Sequence, residues 1–183
     1  ITVSKHTAHD VIEQLDVDPP LATAIPNAVS EDFQPVDVVA VESFRRKLGI
    51  SPGTFCLLNV GSNNPRKNVS AILEAMQLLR TRQQPVHFWK AGSAFNEAQS
   101  AFIETHRLGD CVSYVGKVDQ QELITLYSAA DALVAPSLYE GFGLTVLEAM
   151  ACGTPVIAAN TTSLPEVVGD AAILVDPESA DAI

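Results

Sequence analysis

The chain has 183 residues, 47% of them hydrophobic and 18% charged, with 11 Lys and Arg against 22 Asp and Glu for a net charge of −11. That length and apolarity suffice to bury a core, which excludes a disordered tail, and the negative balance excludes nucleic acid or an anionic membrane surface as the main partner. The charge is also uneven. No Lys or Arg follows Lys117, so an anion held by the last third of the chain must find backbone donors there or cations from upstream.

The first 50 residues carry weak signals. Thr2 to Leu15 suggests a strand end and a helix, Leu21 to Ile25 a strand, Pro26-Asn27 a turn, and Glu42 to Leu48 a short helix, with a domain edge somewhere in 30–40. From residue 55 the pattern is regular. Phe55 to Val60 reads as a buried strand that ends at Gly61 and a polar loop, Ser62 to Asn68. Val69 to Arg80 places Val69, Ile72, Leu73, Met76 and Leu79 on one helical stripe. A strand at Val86 to Trp89, a helix over 96–106 and a strand at Val112 to Val115 follow. Asp119 reads as an N-cap, with Glu122 completing a capping box, for a helix to Ala130. Ala132 to Ala135 is a buried strand. Leu144 to Ala151 is a helix stopped by Gly153 at the left-handed position. Pro155 to Ala158 and Ala172 to Val175 are further strands. Strands apolar on both faces, alternating with helices, predict an α/β fold: a doubly wound, Rossmann-like parallel sheet with helices on both faces. Such sheets bind ligands at the carboxyl ends of their strands.

Cys56, Cys111 and Cys152 are odd in number and match no zinc spacing, so they read as buried thiols of a reduced, cytoplasmic protein. No apolar run is long enough for a transmembrane segment, and Ile1 does not begin a signal peptide. Ile1 is not a natural start, and the chain reads as cut from something longer. His6 and His9 read as solvated helix histidines, Phe88 and Trp89 as core, and Asp176, Glu178 and Asp181 as a solvated acidic end.

Two loops could carry chemistry. In Glu140 to Met150, Gly141 and Gly143 let backbone approach a ligand, and the following helix offers free N–H groups and the positive end of its dipole. Glu140 and Glu148 could accept hydrogen bonds from hydroxyls. A plain strand-to-helix turn with two solvated glutamates is the alternative on the local pattern. In Gly61 to Asn68, Arg66 and Lys67 form a doubly positive spot suited to a diphosphate. Its alternative is an ordinary solvated pair at a helix start, which opposes the helix dipole. The loop is not a Walker A sequence.

The run from Glu140-Gly-Phe-Gly through Glu148 to Ala158 resembles the signature of glycosyltransferase family 4 (glycosyl transferases group 1), with Glu140 and Glu148 at the family's Glu-x7-Glu spacing. Tyr127 to Asp131, Ser163 to Gly169, Asp170 to Ala172 and Gly61 to Asn68 extend the resemblance, and Ile25 to Val29 is similar to the interdomain linker, with Ala28 in place of the usual Gly. Ser62 stands where many members have Arg.

The resemblance implies one half of a GT-B enzyme. Residues 1–35 would be the remnant of the amino-terminal domain and linker, and 36–183 the nucleotide-sugar-binding domain, truncated at its carboxyl end. It implies a retaining hexosyl- or mannosyltransferase of polysaccharide or glycolipid synthesis, with the fragment inactive alone. Arg66 and Lys67 would hold the donor diphosphate, Glu140 the sugar hydroxyls and Glu148 the ribose. The backbone of Gly141, Phe142, Gly143 and Leu144 would contact sugar and phosphate, and Gly61, Ser62 and Thr145 complete the donor set. Glu140, Arg66 and Lys67 form the catalytic set. No metal or other cofactor is implied. The acceptor, a glycan or lipid-linked glycan, would be read by the amino-terminal domain, with the full protein cytoplasmic or peripheral to the inner face of the membrane. Two rival classes are a glycosidase using Glu140 and Glu148 as an acid/base pair, disfavoured by the lack of a barrel pattern, and a non-catalytic nucleotide-sugar binding module.

Overall fold

The structure, a computed structural model, describes residues 1–183. Six parallel strands form one sheet: β1 (Phe55–Gly61), β2 (Val86–Gly92), β3 (Val112–Gly116), β4 (Ala132–Ala135), β5 (Val156–Ala159) and β6 (Ile173–Val175), in the order β3-β2-β1-β4-β5-β6. The chain winds outward from β1 through β2 to β3, returns to β4 beside β1, and winds the other way to β6. The strand order therefore reverses between β1 and β4, which opens a crevice at their carboxyl ends.

Period-2 alternation divides β1 between two cores. Cys56 and Leu58 join Trp89, Ala91, Tyr127, Val146 and Leu164 on one face of the sheet. Leu57 joins Ile72, Leu73, Met76, Phe88 and Val134 on the other. The second face is covered by α3 (Val69–Thr81) and α4 (Glu97–Thr105), and the first by α5 (Gln120–Ala129) and α6 (Leu144–Ala151), with α2 (Val38–Lys47) packed on α5. Both faces are closed, as the continuous apolar strands require.

Local chemistry sets the helix ends. Asp119 caps α5 by accepting from Glu122 N at 2.8 Å. The full reciprocal capping box belongs instead to Asn96 and Gln99 at α4. Beyond the C-cap Cys152, Gly153 adopts φ +76°, with Gly153 N donating to Met150 O at 3.0 Å and Thr154 N to Ala149 O at 2.9 Å. That pair of bonds is a Schellman closure.

Several expectations need correction. Strand β2 runs on to Gly92, because Lys90 stays in register opposite Asn59 of β1. The segment 21–25 is no strand: Pro19–Leu21 is a 3-10 turn, and only Ala24 bridges to Thr2. Helix α2 begins at Val38, where Asp37 accepts from Ala40 N at 2.9 Å. A short helix, α7 (Leu164–Val168), which the sequence reading did not assign, follows β5, with Pro165 in its first turn, where proline is compatible with a helix. Phe88 and Trp89 are core. Cys56 and Cys152 are buried, but Cys111 is only half-buried, and all three thiols are free. Asp181 is solvated as expected, with 72% of its side chain exposed, and pairs with Arg82 at the surface.

Residues 1–25 lie outside the sheet and dock on its carboxyl edge through α1 (Lys5–Leu15). The Ser4 and Thr7 hydroxyls donate to Gly141 O at 2.8 and 2.9 Å. Glu166 of α7 accepts from Lys5 N at 3.0 Å, placing a carboxylate at the positive end of α1. His6 is not freely solvated: it is half-buried, its ring 5.8 Å from that of Tyr139 and its Nε2 3.4 Å from Asp10. No helix is long and apolar enough to cross a membrane.

Candidate functional site

The loops leaving β1 and β4 flank the crevice. After β1, Asn64 caps a 3-10 turn, Pro65–Lys67, accepting from Arg66 N at 3.1 Å. Asn68 then takes a left-handed conformation (φ 55°) and turns the chain into α3. Arg66 and Lys67 therefore stand before α3 and reach across to the β4 loop. Leu138 N donates to Arg66 O at 2.8 Å and Arg66 Nη1 donates to Tyr139 O at 2.9 Å, so backbone ties the two loops together.

Glu140 is the centre of the arrangement and is only 7% exposed. Arg66 Nη1 lies 3.0 Å from Oε2, Lys67 Nζ pairs with Oε1, and Ser137 Oγ donates to Oε1 at 3.0 Å. Burial alone would push the carboxyl pKa up. The hydrogen bond and charge of Lys67, with help from Arg66 and Ser137, outweigh it and hold Glu140 below the usual carboxylate range. Glu140 is thus an ionised carboxylate neutralised by the two cations predicted to grip a diphosphate.

The rest of the β4 loop is shaped by backbone. Phe142 is buried through its side chain, which leaves only its main chain for a ligand. Gly143 sits at φ +109°, and a Cβ there would meet Leu164 Cδ2 at 2.7 Å, so glycine is required. No side chain caps α6, so its first N–H groups, behind exposed Leu144 and half-buried Thr145, remain open. The stricter requirement at the end of β1 falls on its neighbour in β2, whereas Gly61 itself, at φ +134°, has room for a Cβ. Gly92 approaches it so closely that a Cβ on Gly92 would meet Gly61 O at 2.3 Å. Ser62 is exposed at the rim.

Glu148 does not reach the Arg66–Lys67–Glu140 cluster. It is half-buried on α6 and accepts from Tyr127 OH at 2.8 Å. Burial raises its pKa, and the Tyr127 hydrogen bond partly offsets that. The stretch Tyr127 to Asp131 thereby acquires roles. Tyr127 orients Glu148, Ser128 Oγ accepts from Val36 N at 3.2 Å, and Asp131 accepts from Cys56 N at 2.7 Å while pairing with Arg45 of α2.

Sequence reasoning missed two groups. A comb of hydroxyls between β5 and α7 holds the β4 loop: Thr161 Oγ1 donates to Ser137 O at 3.0 Å, Thr162 Oγ1 accepts from Glu140 N at 3.1 Å, and Ser163 Oγ lies 2.8 and 2.9 Å from the carbonyls of Glu140 and Phe142. The available signal was a run of three hydroxyl residues at the carboxyl end of a strand. The other group is Lys90, fully buried on β2 with its Nζ on Gly61 O. A lysine inside an apolar strand pattern was the signal.

Beside Glu140, a void of about 10 Å³ is lined by Asn59, Lys67, Ser137 and Thr145. Asn59 is buried at the β1–β4 seam, its Nδ2 donating to Val134 O at 2.9 Å and its Oδ1 without a partner. Larger hollows of about 490 and 680 Å³ lie at the opposite edge, around Gly49 to Thr54 and the amino ends of β1 and β2, away from these groups.

A doubly wound sheet with cations and an open helix N-terminus at its switch point defines a class of phosphate- and nucleotide-binding folds. Comparison narrows the class. The sequence profile of "Glycosyl transferases group 1" matches residues 40–183, and the chain belongs to that family. It is 35% identical over 186 residues to O-antigen chain mannosyltransferase B of Escherichia coli, covering 100% of this chain and 49% of that protein. It is 34% identical over 181 residues to D-inositol 3-phosphate glycosyltransferase of Streptomyces bingchenggensis, covering 93% of this chain and 39% of that one. The fold superposes on Anabaena HepE, solved with UDP and glucose, with TM-score 0.88 and 22% identity over 99% of this chain and 50% of that one. The chain thus spans about half the length, or less, of the relatives it matches. The predicted family and Rossmann-like architecture of a GT-B half both hold.

Proposed function

We propose that this chain is the donor-binding half of a retaining glycosyltransferase, which takes a hexosyl or mannosyl group from a nucleotide-diphosphate sugar to an acceptor hydroxyl. The observation that carries the reading is the convergence of Arg66 and Lys67 on Glu140, at the β1–β4 switch point beside the uncapped α6. Family membership and mannosyltransferase relatives support it.

The chemistry follows from charge. The Arg66 fork and the Lys67 ammonium are held on Glu140 without ligand. A diphosphate carries more negative charge than one carboxylate and draws both cations, with the α6 N–H groups adding donors. Glu140, released from them, becomes an acceptor for sugar hydroxyls. As the bond from anomeric carbon to phosphate oxygen breaks, negative charge grows on the leaving diphosphate, where these donors already stand. Cations and backbone supply that stabilisation without a metal. Glu148, oriented by Tyr127, serves as the ribose acceptor.

Acceptor recognition and transfer need the other domain of the GT-B pair, with residues 1–35 as its remnant and linker. The chain alone binds donor and transfers nothing. Its free cysteines suit a reducing cytoplasm, and a lipid-linked acceptor would place the full protein at the inner face of the membrane.

Thermal unfolding of the chain with millimolar UDP, GDP and ADP and their sugar derivatives tests the reading. A ligand at 100 times its Kd adds about 2.7 kcal/mol of stability. The expected result is a shift for one nucleotide series that disappears in Arg66→Ala/Lys67→Ala. No shift with any nucleotide contradicts the reading.

A further inference from the structure

Lys90 is the lysine with no exposed surface at all. It belongs to none of the chain's ion pairs. Its Nζ donates to Gly61 O at 2.8 Å and to Ala91 O at 2.9 Å. A buried ammonium satisfied only by neutral carbonyls is costly, and a lysine with no functional reason to stay would be replaced by an apolar residue at no loss of stability. Its position supplies the reason. Gly61 opens the loop that carries Arg66 and Lys67, and Gly61 O also accepts from Ser93 N at 3.0 Å. With that carbonyl fixed toward β2, the trans peptide directs the Ser62 N–H the opposite way. Gly61 also lies against Lys67, whose Cε and Nζ would be 3.8 and 4.0 Å from a Cβ placed there. The two ammonium groups thus both lie against one glycine.

We propose that Lys90 is a third cation of the donor site, a positioning residue that fixes the Gly61–Ser62 peptide and lends its charge from beneath the phosphate loop. The proposal rests on the reading of this crevice as a donor-diphosphate site. Lys67 and, through it, Glu140 and Arg66 face Lys90 from the β1 and β4 loops. On the β3 side the titratable neighbour is Tyr114, whose OH donates to Gly92 O at 2.8 Å. Burial, and then the charge of Lys67, lower the Lys90 pKa to about 8. A bound diphosphate favours the charged form and raises that pKa, so donor affinity is full below pH 8 and falls above it. Each unit of rise on binding corresponds to about tenfold in affinity.

The test is calorimetric titration of the chain at pH 6.5 to 9 with whichever of UDP-glucose, GDP-mannose and ADP-glucose binds it, alongside Lys90→Met and Arg66→Ala/Lys67→Ala. The wild type is expected to lose roughly tenfold in affinity as pH rises through 8. Lys90→Met is expected to bind about tenfold more weakly at pH 7, to show no step near pH 8, and to unfold at the same or a higher temperature, since a buried charge has been replaced by a methyl thioether. A merely structural lysine gives a different result: lower thermal stability, with the pH step retained. That result, or wild-type affinity in Lys90→Met at every pH, overturns the proposal while binding by the wild type and its loss in the double variant leave the donor-site reading standing. If the wild type binds none of the three, both fall.

Discussion

The loops after β1 and β4 face one crevice and solve opposite problems. The β1 loop supplies charge: Arg66 keeps 43% of its side chain exposed, while the loop backbone is held by its own turn, with Lys67 N on Asn64 O and Asn68 N on Pro65 O, by the Asn64 cap and by the bond from Leu138. The β4 loop has no cation, and none is available anywhere after Lys117. It is fixed instead by hydroxyls from two directions, Ser4 and Thr7 from α1 and Thr161, Thr162 and Ser163 from the β5–α7 connection. Affinity for an anion can come from a few mobile charges. Aiming backbone N–H groups cannot, because each carbonyl must be turned away and kept there. On the proposed reading, this contrast is how an acidic chain would hold a diphosphate.

The two loops should break differently. Gly92→Ala strikes backbone, its Cβ falling 2.3 Å from Gly61 O at φ +100°, where the two glycines are paired across β1 and β2. We expect a loss of about 3 kcal/mol or more in urea unfolding, or failure to fold. Gly143→Ala meets the end of the Leu164 side chain at φ +109° and should cost less, about 2 kcal/mol. Equal losses would mean that the β4 loop is as rigidly backed as the β1–β2 seam.

Next in size is the separation of affinity from geometry. Lys67→Ala removes a cation from the crevice and is expected to weaken donor binding about 10- to 100-fold, the worth of a charged hydrogen bond. Ser163→Ala removes a buried hydroxyl shared by two carbonyls, and is expected to cost about 1 kcal/mol of stability while changing binding less than Lys67→Ala does. If Ser163→Ala proved the more damaging to nucleotide affinity, charge would not be the main source of binding.

Acid titration gives the smallest effect. The folded-state pKa of Glu140 is depressed, so its contribution to stability is present above the ordinary carboxylate pKa and lost as pH falls through the folded value. Glu148 has a raised pKa, and its contribution runs the other way, lost as pH rises through the folded value. Urea unfolding between pH 3 and 7 should therefore show Glu140→Gln losing less stability in acid than the wild type. Glu148→Gln should be as stable as the wild type at neutral pH, or slightly more so. A Glu140→Gln variant with the acid sensitivity of the wild type would show that the Lys67 pair is too weak to matter.

The sheet was legible because its strands are apolar on both faces and its helices carry single stripes, so all six strands were located, with β2 read three residues short at Lys90 to Gly92. The first 50 residues were not: Leu21 to Ile25 is apolar enough for a strand but has only Thr2 to pair with. Within the site, Arg66, Lys67, Glu140 and the two glycines of the β4 loop were legible as a charge pair and a glycine pattern beside a family resemblance. Their mutual pairing was not, since Glu140 lies 73 residues from Lys67 and only topology joins them. The same limit hid Lys90 and the Thr161–Ser163 comb. Their partners are backbone groups, carbonyls and the Glu140 N–H, and no residue type in the sequence marks a backbone group that must be held.

The most direct test of the account is a calorimetric comparison of wild type and Glu140→Gln, each titrated with the nucleoside diphosphate and with its sugar derivative. If the diphosphate takes Arg66 and Lys67 from Glu140, the variant, whose cations are already free, binds the nucleoside diphosphate more tightly than the wild type and loses the added affinity that the sugar confers. A variant that binds the nucleoside diphosphate no better than the wild type, or that keeps the full contribution of the sugar, would contradict it.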